Sequence, residues 1–279
     1  MKRPAELDLF SEEPENIHVE KVQWSDIKTT TVLGNDIQGL QFTIPKASDR
    51  KMIDLNRTQL MLDIKFEKVA ADDTKKFAPV NNTLHSLFEN CVISMNGEVV
   101  YDSNKNYHYS AYILDLLDRS QDQKEGLLTA QLWYPDTLNQ FNTLSGTNKG
   151  FEKRQKKTLL DLDIPMIGRL HSELFNQERY MISDVEIGVE LTLAKDTFYI
   201  MSSHEGTGKY RLKISQARLS VPYVQVAAKT VEDIEKALET TPAIPYKEYI
   251  RKRFRSVRHR QISPLTFQKV AYRKELSWV

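Results

Sequence analysis

The segment Val185–Leu193, VEIGVELTL, alternates apolar residues with polar or small ones over nine positions without a break. Successive side chains of a β-strand point to opposite faces, so this pattern predicts a strand with one buried and one solvated face. Two earlier segments show the same pattern: Leu40–Ile44 alternates and stops at a proline, and Leu60–Glu67 alternates after its first residues. Half-buried strands of this kind are typical of antiparallel sheets.

Shorter signals place a hairpin and further strands around these segments. Asn96 and Gly97 lie between two apolar runs. Both residue types tolerate positive φ, so a tight hairpin is predicted there. Strand-like alternation recurs in four short segments: 159–164, 197–201, 210–214 and 217–221. The residues predicted to lie in or near the core are Phe42, Leu62, Ile64, Phe66, Ile93, Val185, Ile187, Val189 and Leu191.

Helical spacing is confined to two segments. Within 107–117 the apolar residues recur every three or four positions, which predicts a short amphipathic helix that covers an open end of a sheet. Residues 229–239 have the charge and spacing of a surface helix, whereas 136–158 predict a long exposed loop rich in Asn, Thr, Gly and Lys. Many short strands with one or two short helices predict an all-β antiparallel sandwich or jelly roll, not a βαβ sheet.

Charge is balanced over the whole chain but not along it. Lys and Arg number 39 against 38 Asp and Glu, a net charge of +1, so any attraction to nucleic acid must be local. Residues 1–20 are acidic and 247–260 are basic. We therefore expect an extended acidic arm over 1–30, anchored by Trp24, a jelly-roll domain over 31–227, and a linker helix with a basic tail over 228–279.

The single cysteine and the hydropathy pattern bear on the compartment. Cys91 has no cysteine partner within the chain, which favours a reducing environment, and its apolar neighbours predict a buried side chain. The N-terminus has no signal-peptide pattern, and the sequence shows no stretch of about 18 apolar residues that would span a bilayer. These features predict a soluble intracellular protein that does not bind membranes.

The sequence shows no complete motif for catalysis or for cofactor binding. The segment Glu205–Lys209 contains a Gly-Lys pair but lacks the first glycine and the final Ser or Thr of a phosphate-binding loop. The histidines are scattered, without the spacing that aligns metal ligands on one helical face. Paired acids such as Glu186 and Glu190 are more simply explained as the solvated face of a strand than as a catalytic acid/base pair. We predict no catalytic residue, no cofactor and no metal site.

The basic tail is the one segment with a candidate binding role. Clustered arginines beside an aromatic residue can neutralise phosphates and stack on bases, so the tail could contact nucleic acid, or it could act as a nuclear-import signal. An equally simple interpretation is a solvated basic strand or tail. The candidate residues are Arg251, Lys252, Arg253, Arg255, Arg258 and Arg260.

Three blocks of the sequence stand out by their order and composition: Pro79–Phe88, Tyr109–Ile113 and Met166–Tyr180. They resemble the capsid proteins of Polinton (Maverick) elements and adintovirus-like viruses. In that family a similar Ile-Gly-Arg-Leu-His segment leads through Gln-Glu-Arg-Tyr into a long strand and then Lys-Asp-x-Phe, which Lys195–Phe198 matches here. The resemblance spans roughly 35–225.

The resemblance implies a double jelly-roll fold and a function by assembly. Members of the family form homotrimers that tile an icosahedral shell around double-stranded DNA, together with other capsid proteins. The family has no catalytic residues to assign to this chain. The resemblance also implies a location in the virion, with assembly in the host cytoplasm or nucleus. The family chain continues into a second jelly roll, whereas this sequence stops at Val279, so we expect 228–279 to begin an incomplete second jelly roll.

Two other functions remain open at the level of sequence. A single jelly roll can recognise carbohydrate or a protein partner through its loops, and an aromatic-lined concave face would favour that alternative. A hydrolase on a β-sandwich would need acids or histidines clustered in a pocket, which the sequence does not display. The leading hypothesis is a structural capsid subunit of a virus or virus-like transposable element, and not an enzyme.

Overall fold

The computed structural model describes residues 18–34, 37–47, 50–68, 76–158, 162–182, 184–202 and 210–240. Eleven strands are described in chain order: β1 Val19–Lys28, β2 Gly39–Ile44, β3 Lys51–Ile53, β4 Gln59–Lys68, β5 Phe77–Pro79, β6 Phe88–Met95, β7 Glu98–Asp102, β8 Ile164–Arg169, β9 Ile187–Leu193, β10 Ile200–Ser202 and β11 Tyr210–Val226. Six helices lie between or after them: α1 Thr83–Ser86, α2 Tyr107–Asp118, α3 Gln121–Glu125, α4 Lys149–Thr158, α5 Asp196–Tyr199 and α6 Ala228–Thr240.

Nine of the described strands form two antiparallel sheets. One sheet has the order β1-β11-β4-β8, with β3 paired to the far end of β11, and the other has the order β2-β9-β6-β7. Along the eight main strands the chain changes sheet at every step except the β6–β7 hairpin. Strands β5 and β10 form a separate two-stranded ribbon. This eight-stranded order is that of a jelly roll, so the predicted fold class is confirmed.

The core fills the space between the two sheets. The alternating residues of β9 point inward at Ile187, Val189 and Leu191, while Glu190 on the opposite face is exposed. All nine residues predicted for the core lie in it or against it, with Val185 partly buried at its margin. The period of two that is visible in the sequence is therefore the period at which side chains enter the core.

The predicted hairpin joins β6 to β7. Met95 faces Glu98 across a two-residue turn whose central residues, Asn96 and Gly97, both have positive φ, of 48° and 85°. That combination matches the right-handed twist of the strands. Asn96 also exchanges two hydrogen bonds with the backbone of Glu186, at 2.9 and 3.0 Å, so the turn is fixed to the segment that leads into β9.

Strand β11 is one strand of 17 residues, where the sequence pattern indicates two shorter strands. The pairing register with β4 shifts between Ile214 and Gln216, so Ser215 forms a bulge. A bulge moves the alternation by one residue, which is why apolar positions change from Leu212 and Ile214 to Ala217 and beyond. The Ser215 hydroxyl lies 2.7 Å from Asp163 Oδ2, just before β8, and 3.1 Å from Asp63 O on β4.

The part of the predicted acidic arm that the structure describes is a strand of the sheet and not a free arm. Strand β1 pairs with β11 from Val19 opposite Val226 to Lys28 opposite Arg218. Most side chains of β1 are exposed on both faces, including Trp24, so the strand has little amphipathic pattern to read. Its place in the sheet comes from backbone hydrogen bonds to β11, which sequence periodicity does not reveal.

The predicted loop at 136–158 is wrong over its second half, which forms helix α4. Phe151 and Arg154 are fully buried there. The Arg154 guanidinium donates to Pro79 O at 2.7 Å, to Asp136 Oδ1 at 2.7 Å and to Tyr134 O, and so joins α4 to β5 and to the preceding turn. The segment looks like an exposed loop because its main buried anchor is a charged residue, which a hydrophobic pattern cannot show.

Candidate functional site

Most of the sequence-predicted site residues lie outside the residues that the structure describes. This holds for the six basic residues of the tail: Arg251, Lys252, Arg253, Arg255, Arg258 and Arg260. It holds equally for the Gly-Lys segment at 205–209. Of the paired acids, Glu186 and Glu190 are both exposed. Among the described helices, none combines the length and apolar character needed to cross a membrane.

Helix α2 is the predicted amphipathic helix. Its apolar face, however, does not cover the end of a sheet as the sequence predicts. Its apolar side faces solvent: Ile113 is 52% exposed and Leu117 is 74% exposed, with Tyr109 and Leu116 beside them at one-turn and two-turn spacing. We call these four residues the outer face of α2. Large apolar side chains grouped on one helical face are typical of a surface that contacts another molecule.

The opposite side of α2 is buried and largely polar. It packs against α1 and β6 with Tyr107, His108, Ala111 and Asp115. Sequence periodicity identifies the apolar stripe of a helix correctly, but it assumes that this stripe is the buried side. Here the buried side is held by polar contacts, and the apolar stripe is exposed.

Those polar contacts centre on three residues from three separate elements. His85 lies in α1, Asp115 in α2 and His171 in the segment after β8. One nitrogen or carboxylate oxygen from each lies within 4.8 Å of the others. Asp115 and His85 are completely buried, and His171 is 6% exposed. We call these residues the His–Asp–His cluster; sequence spacing misses it because 86 positions separate the two histidines.

Hydrogen bonds from neighbouring residues hold the side chains of His85 and Asp115 in place. The Tyr107 hydroxyl lies 3.0 Å from His85 Nδ1 and accepts a hydrogen bond from the His171 backbone N–H at 3.4 Å. Asn82 Nδ2 donates to Asp115 Oδ2 at 2.9 Å. Asn82 itself has positive φ, 55°, immediately before α1. The two imidazole rings of the cluster meet edge to face, with centroids 4.6 Å apart.

Burial sets the charge of the cluster. Burial, followed by the nearby His171, lowers the pKa of His85 to about 3, so this imidazole is neutral at pH 7. Burial acts to raise the pKa of Asp115, but His171, His85 and Asn82 outweigh it and hold that pKa below its usual value. Asp115 is therefore an ionised carboxylate inside the protein.

Several polar atoms of this region have no hydrogen-bond partner of acceptable geometry among the described residues. They include His85 Nε2, His171 Nε2 and Asp115 Oδ1. His171 Nε2 does lie 3.2 Å from Asp115 Oδ2, the distance of an ion pair. Arg119, one turn along α2, approaches Asp115 Oδ1 to 3.8 Å. Buried polar atoms are rarely left unpaired, so this group is unusual.

Comparison with known proteins places the fold among capsid structures. No family model matches the chain. An uncharacterized protein of Caenorhabditis elegans is 22% identical over 174 residues, which are 62% of this chain and 40% of that protein.

Two solved structures show the same fold at low sequence identity. They are PBCV-1 VP54, fitted into a reconstruction of the virophage Sputnik, and a quasi-atomic model of the PBCV-1 virus capsid. Each has a TM-score of 0.50 and 12% identity, over 80% of this chain and 46% of that chain. The chain thus spans less than half the length of each of these three proteins.

Proposed function

We propose that this chain is a structural capsid subunit of a virus or virus-like transposable element, acting by association with copies of itself and with other capsid proteins. The observation that carries the proposal is the strand order β1-β11-β4-β8 facing β2-β9-β6-β7, in a fold similar to that of the PBCV-1 capsid structure over 80% of the chain. The Polinton and adintovirus type of capsid is the finer form of the proposal, supported by the three sequence blocks described above. Catalysis has no part in it.

The outer face of α2 is the surface through which we expect one copy to contact a second copy. Its four large apolar side chains lie on one side of a helix whose opposite side is already packed. Asp118 at the end of the helix is exposed beside this face. An apolar centre with a charged margin is the usual composition of a protein–protein interface. Because the proposed function is assembly, a second copy of the chain is the occupant.

The basic tail completes the proposal as a contact for the enclosed DNA. Six Lys and Arg side chains between 251 and 260 can neutralise phosphates without any base recognition. Within this proposal the shell-forming jelly roll extends from β1 to β11, and the basic segment that follows it in the sequence serves packaging. DNA binding by the tail should weaken steeply as salt is raised, because each phosphate contact releases counterions.

Sedimentation velocity on the purified chain, combined with negative-stain electron microscopy, tests the proposal. We expect the average mass to rise with concentration over the micromolar range, and I113E and L117E each to shift the protein toward monomer. A matched control is V32E, since Val32 is an exposed apolar residue in the connection between β1 and β2.

The outcomes separate the alternatives. A stable trimer or regular shells that I113E and L117E abolish would support assembly through α2. If the wild-type chain stays monomeric at every concentration, the proposed contact is contradicted. It is also contradicted if both glutamate variants self-associate as strongly as the wild-type chain. Binding of an oligosaccharide or an unrelated protein by the monomer would favour a recognition module.

A further inference from the structure

The His–Asp–His cluster combines three metal-ligand side chains that come together only in the fold. Each has a buried polar atom without a hydrogen bond of acceptable geometry among the described residues: His85 Nε2, His171 Nε2 and Asp115 Oδ1. One possible ligand atom of each residue lies within 4.8 Å of the other two. These three side chains are nine-tenths buried or more, so water from the bulk solvent does not satisfy those atoms. Buried polar atoms are rarely left in this state, so three in one place call for an explanation.

Neighbouring polar groups already hold two of the three side chains, as the outer shell of a metal site would. Tyr107 engages Nδ1 of His85, which leaves Nε2 of that ring as the nitrogen without a hydrogen-bond partner. Asn82 donates to Oδ2 of Asp115, the oxygen that also lies 3.2 Å from His171 Nε2. Ligating histidines and carboxylates in metal sites almost always have their other polar atom held by such a partner.

The geometry points to a zinc site formed by His85, Asp115 and His171. Two imidazole nitrogens and one carboxylate oxygen are a ligand set that suits Zn²⁺, which binds such atoms at about 2.0–2.2 Å. In a tetrahedron of that size, ligand atoms lie roughly 3.4 Å apart, so the cluster needs to contract from its present spread of up to 4.8 Å. Small rotations of the three side chains supply this movement. A water molecule would complete the tetrahedron.

Arg119 is the group that competes with a metal. Its Nε lies 3.8 Å from Asp115 Oδ1, and its side chain is one-quarter exposed at the C-terminal end of α2. An arginine at that position can turn outward to solvent without crossing the core. The alternative arrangement has no metal: His171 Nε2 stays 3.2 Å from Asp115 Oδ2, and Arg119 stays beside Asp115 Oδ1.

A metal at this point would fix α2 to the sandwich. Its ligands would come from α1, from α2 and from the segment that follows β8, so one ion would join the long β7–β8 connection to the body of the fold. Asp115 points inward from the same helix that presents Ile113 and Leu117 outward. The site therefore orients the outer face of α2, although it does not depend on what that face binds.

Metal analysis of the full chain, prepared without a polyhistidine tag, tests the proposal. After incubation with zinc chloride and removal of excess metal, we expect one zinc ion per chain by mass spectrometry. Cobalt substituted for zinc should give the visible absorption bands of a four-coordinate site. Chelation by EDTA should lower the melting temperature by about 5–10 °C, the shift expected when a ligand at about 100 times its Kd is lost from a domain of this size.

Substitutions then locate the ion. H171Q and D115N should each lose the zinc and the cobalt bands, whereas H108Q should keep both, since His108 is also a buried histidine of α2 but lies outside the cluster. R119Q should retain zinc, because it removes only the competing cation. If a cluster variant fails to fold, the cobalt spectrum of the wild-type chain still decides.

One result would overturn the proposal. A folded wild-type chain that retains no zinc, shows no cobalt bands and melts at the same temperature with and without EDTA has the ion-pair arrangement instead. This outcome would leave the proposed assembly untouched, because sedimentation and metal content are measured separately.

Discussion

His85, Asp115 and His171 show which information a single residue carries in the sequence and which it does not. Each is a polar residue in a segment that reads as ordinary loop or helix, and each becomes unusual only through neighbours supplied by distant parts of the chain. Core residues such as Leu191 are different, because burial follows from alternation within their own strand. Local periodicity is therefore visible in the sequence, whereas a polar cluster across three elements is not.

Replacement of Leu191 by alanine measures the contribution of the core. Leu191 is fully buried on β9, between β2 and β6, so L191A removes apolar contacts and leaves a cavity. We expect the free energy of unfolding to fall by about 2–5 kcal/mol. Urea denaturation followed by circular dichroism gives this quantity. The neighbouring E190A, on the exposed face, should change it by less than about 0.5 kcal/mol.

Cys91 should be inert in the native protein. Its side chain is completely buried on β6, and burial, followed by the charge of Asp102, raises the pKa of the thiol far above its usual value. The reactive form of a thiol is the thiolate, so alkylation at pH 8 should proceed only through unfolding. Iodoacetamide labelling monitored by mass spectrometry should be slow in buffer and rapid in urea. Rapid labelling of the folded chain would contradict the buried position.

Helices α2 and α4 show how an element can be recognised and still be placed wrongly from sequence. In α2 the spacing of apolar residues is correct, but the structure exposes them and buries the polar side. In α4 the buried anchor is Arg154, so the segment has no hydrophobic pattern that would distinguish it from a loop. Both errors arise because periodicity reports amphipathicity, and only tertiary contacts decide which side is covered.

Substitution of Arg154 should loosen α4. The guanidinium is fully buried and joins two backbone carbonyls and Asp136. R154M removes this donor from both carbonyl oxygens and leaves the largely buried Asp136 carboxylate without its cation, with a hydrogen bond from Asn148. We expect a loss of about 3–5 kcal/mol in the free energy of unfolding, the range for breaking a buried ion pair. Thermal denaturation compared with K157A, an exposed residue of the same helix, provides the measurement. Equal melting temperatures would show that Arg154 does not hold the helix.

A substitution in the β6–β7 turn should lower the free energy of unfolding by less than R154M does. Gly97 has φ of +85°, and an added Cβ would meet nothing within 4 Å, so the only penalty of G97A is backbone strain. We expect a loss of about 1–2 kcal/mol with an unchanged fold. Chemical denaturation of G97A beside V99A, in the neighbouring strand, separates the turn effect from simple loss of an exposed side chain.

At the scale of the whole molecule, sequence periodicity predicts sheets and a sandwich but not the order of the strands. The order depends on pairings such as β4 with β11, whose residues are more than 140 positions apart. The jelly-roll order was implied only by the resemblance of three blocks to capsid proteins, and the sheets of the structure now show it directly. Long-range pairing leaves little trace in one sequence because backbone hydrogen bonds are alike for all residues.

The register of β1 against β11 has a consequence for how the molecule resists mechanical force. Val19 lies opposite Val226, so the first and last residues of this pair of strands are neighbours at one end of the ladder. Tension applied between residues 18 and 227 loads the hydrogen bonds one after another and should unzip β1 at low force. Tension between residues 28 and 227 loads the whole ladder in shear, so its bonds must break together. Single-molecule pulling with handles at these two pairs of positions should give a clearly lower rupture force for the first pair.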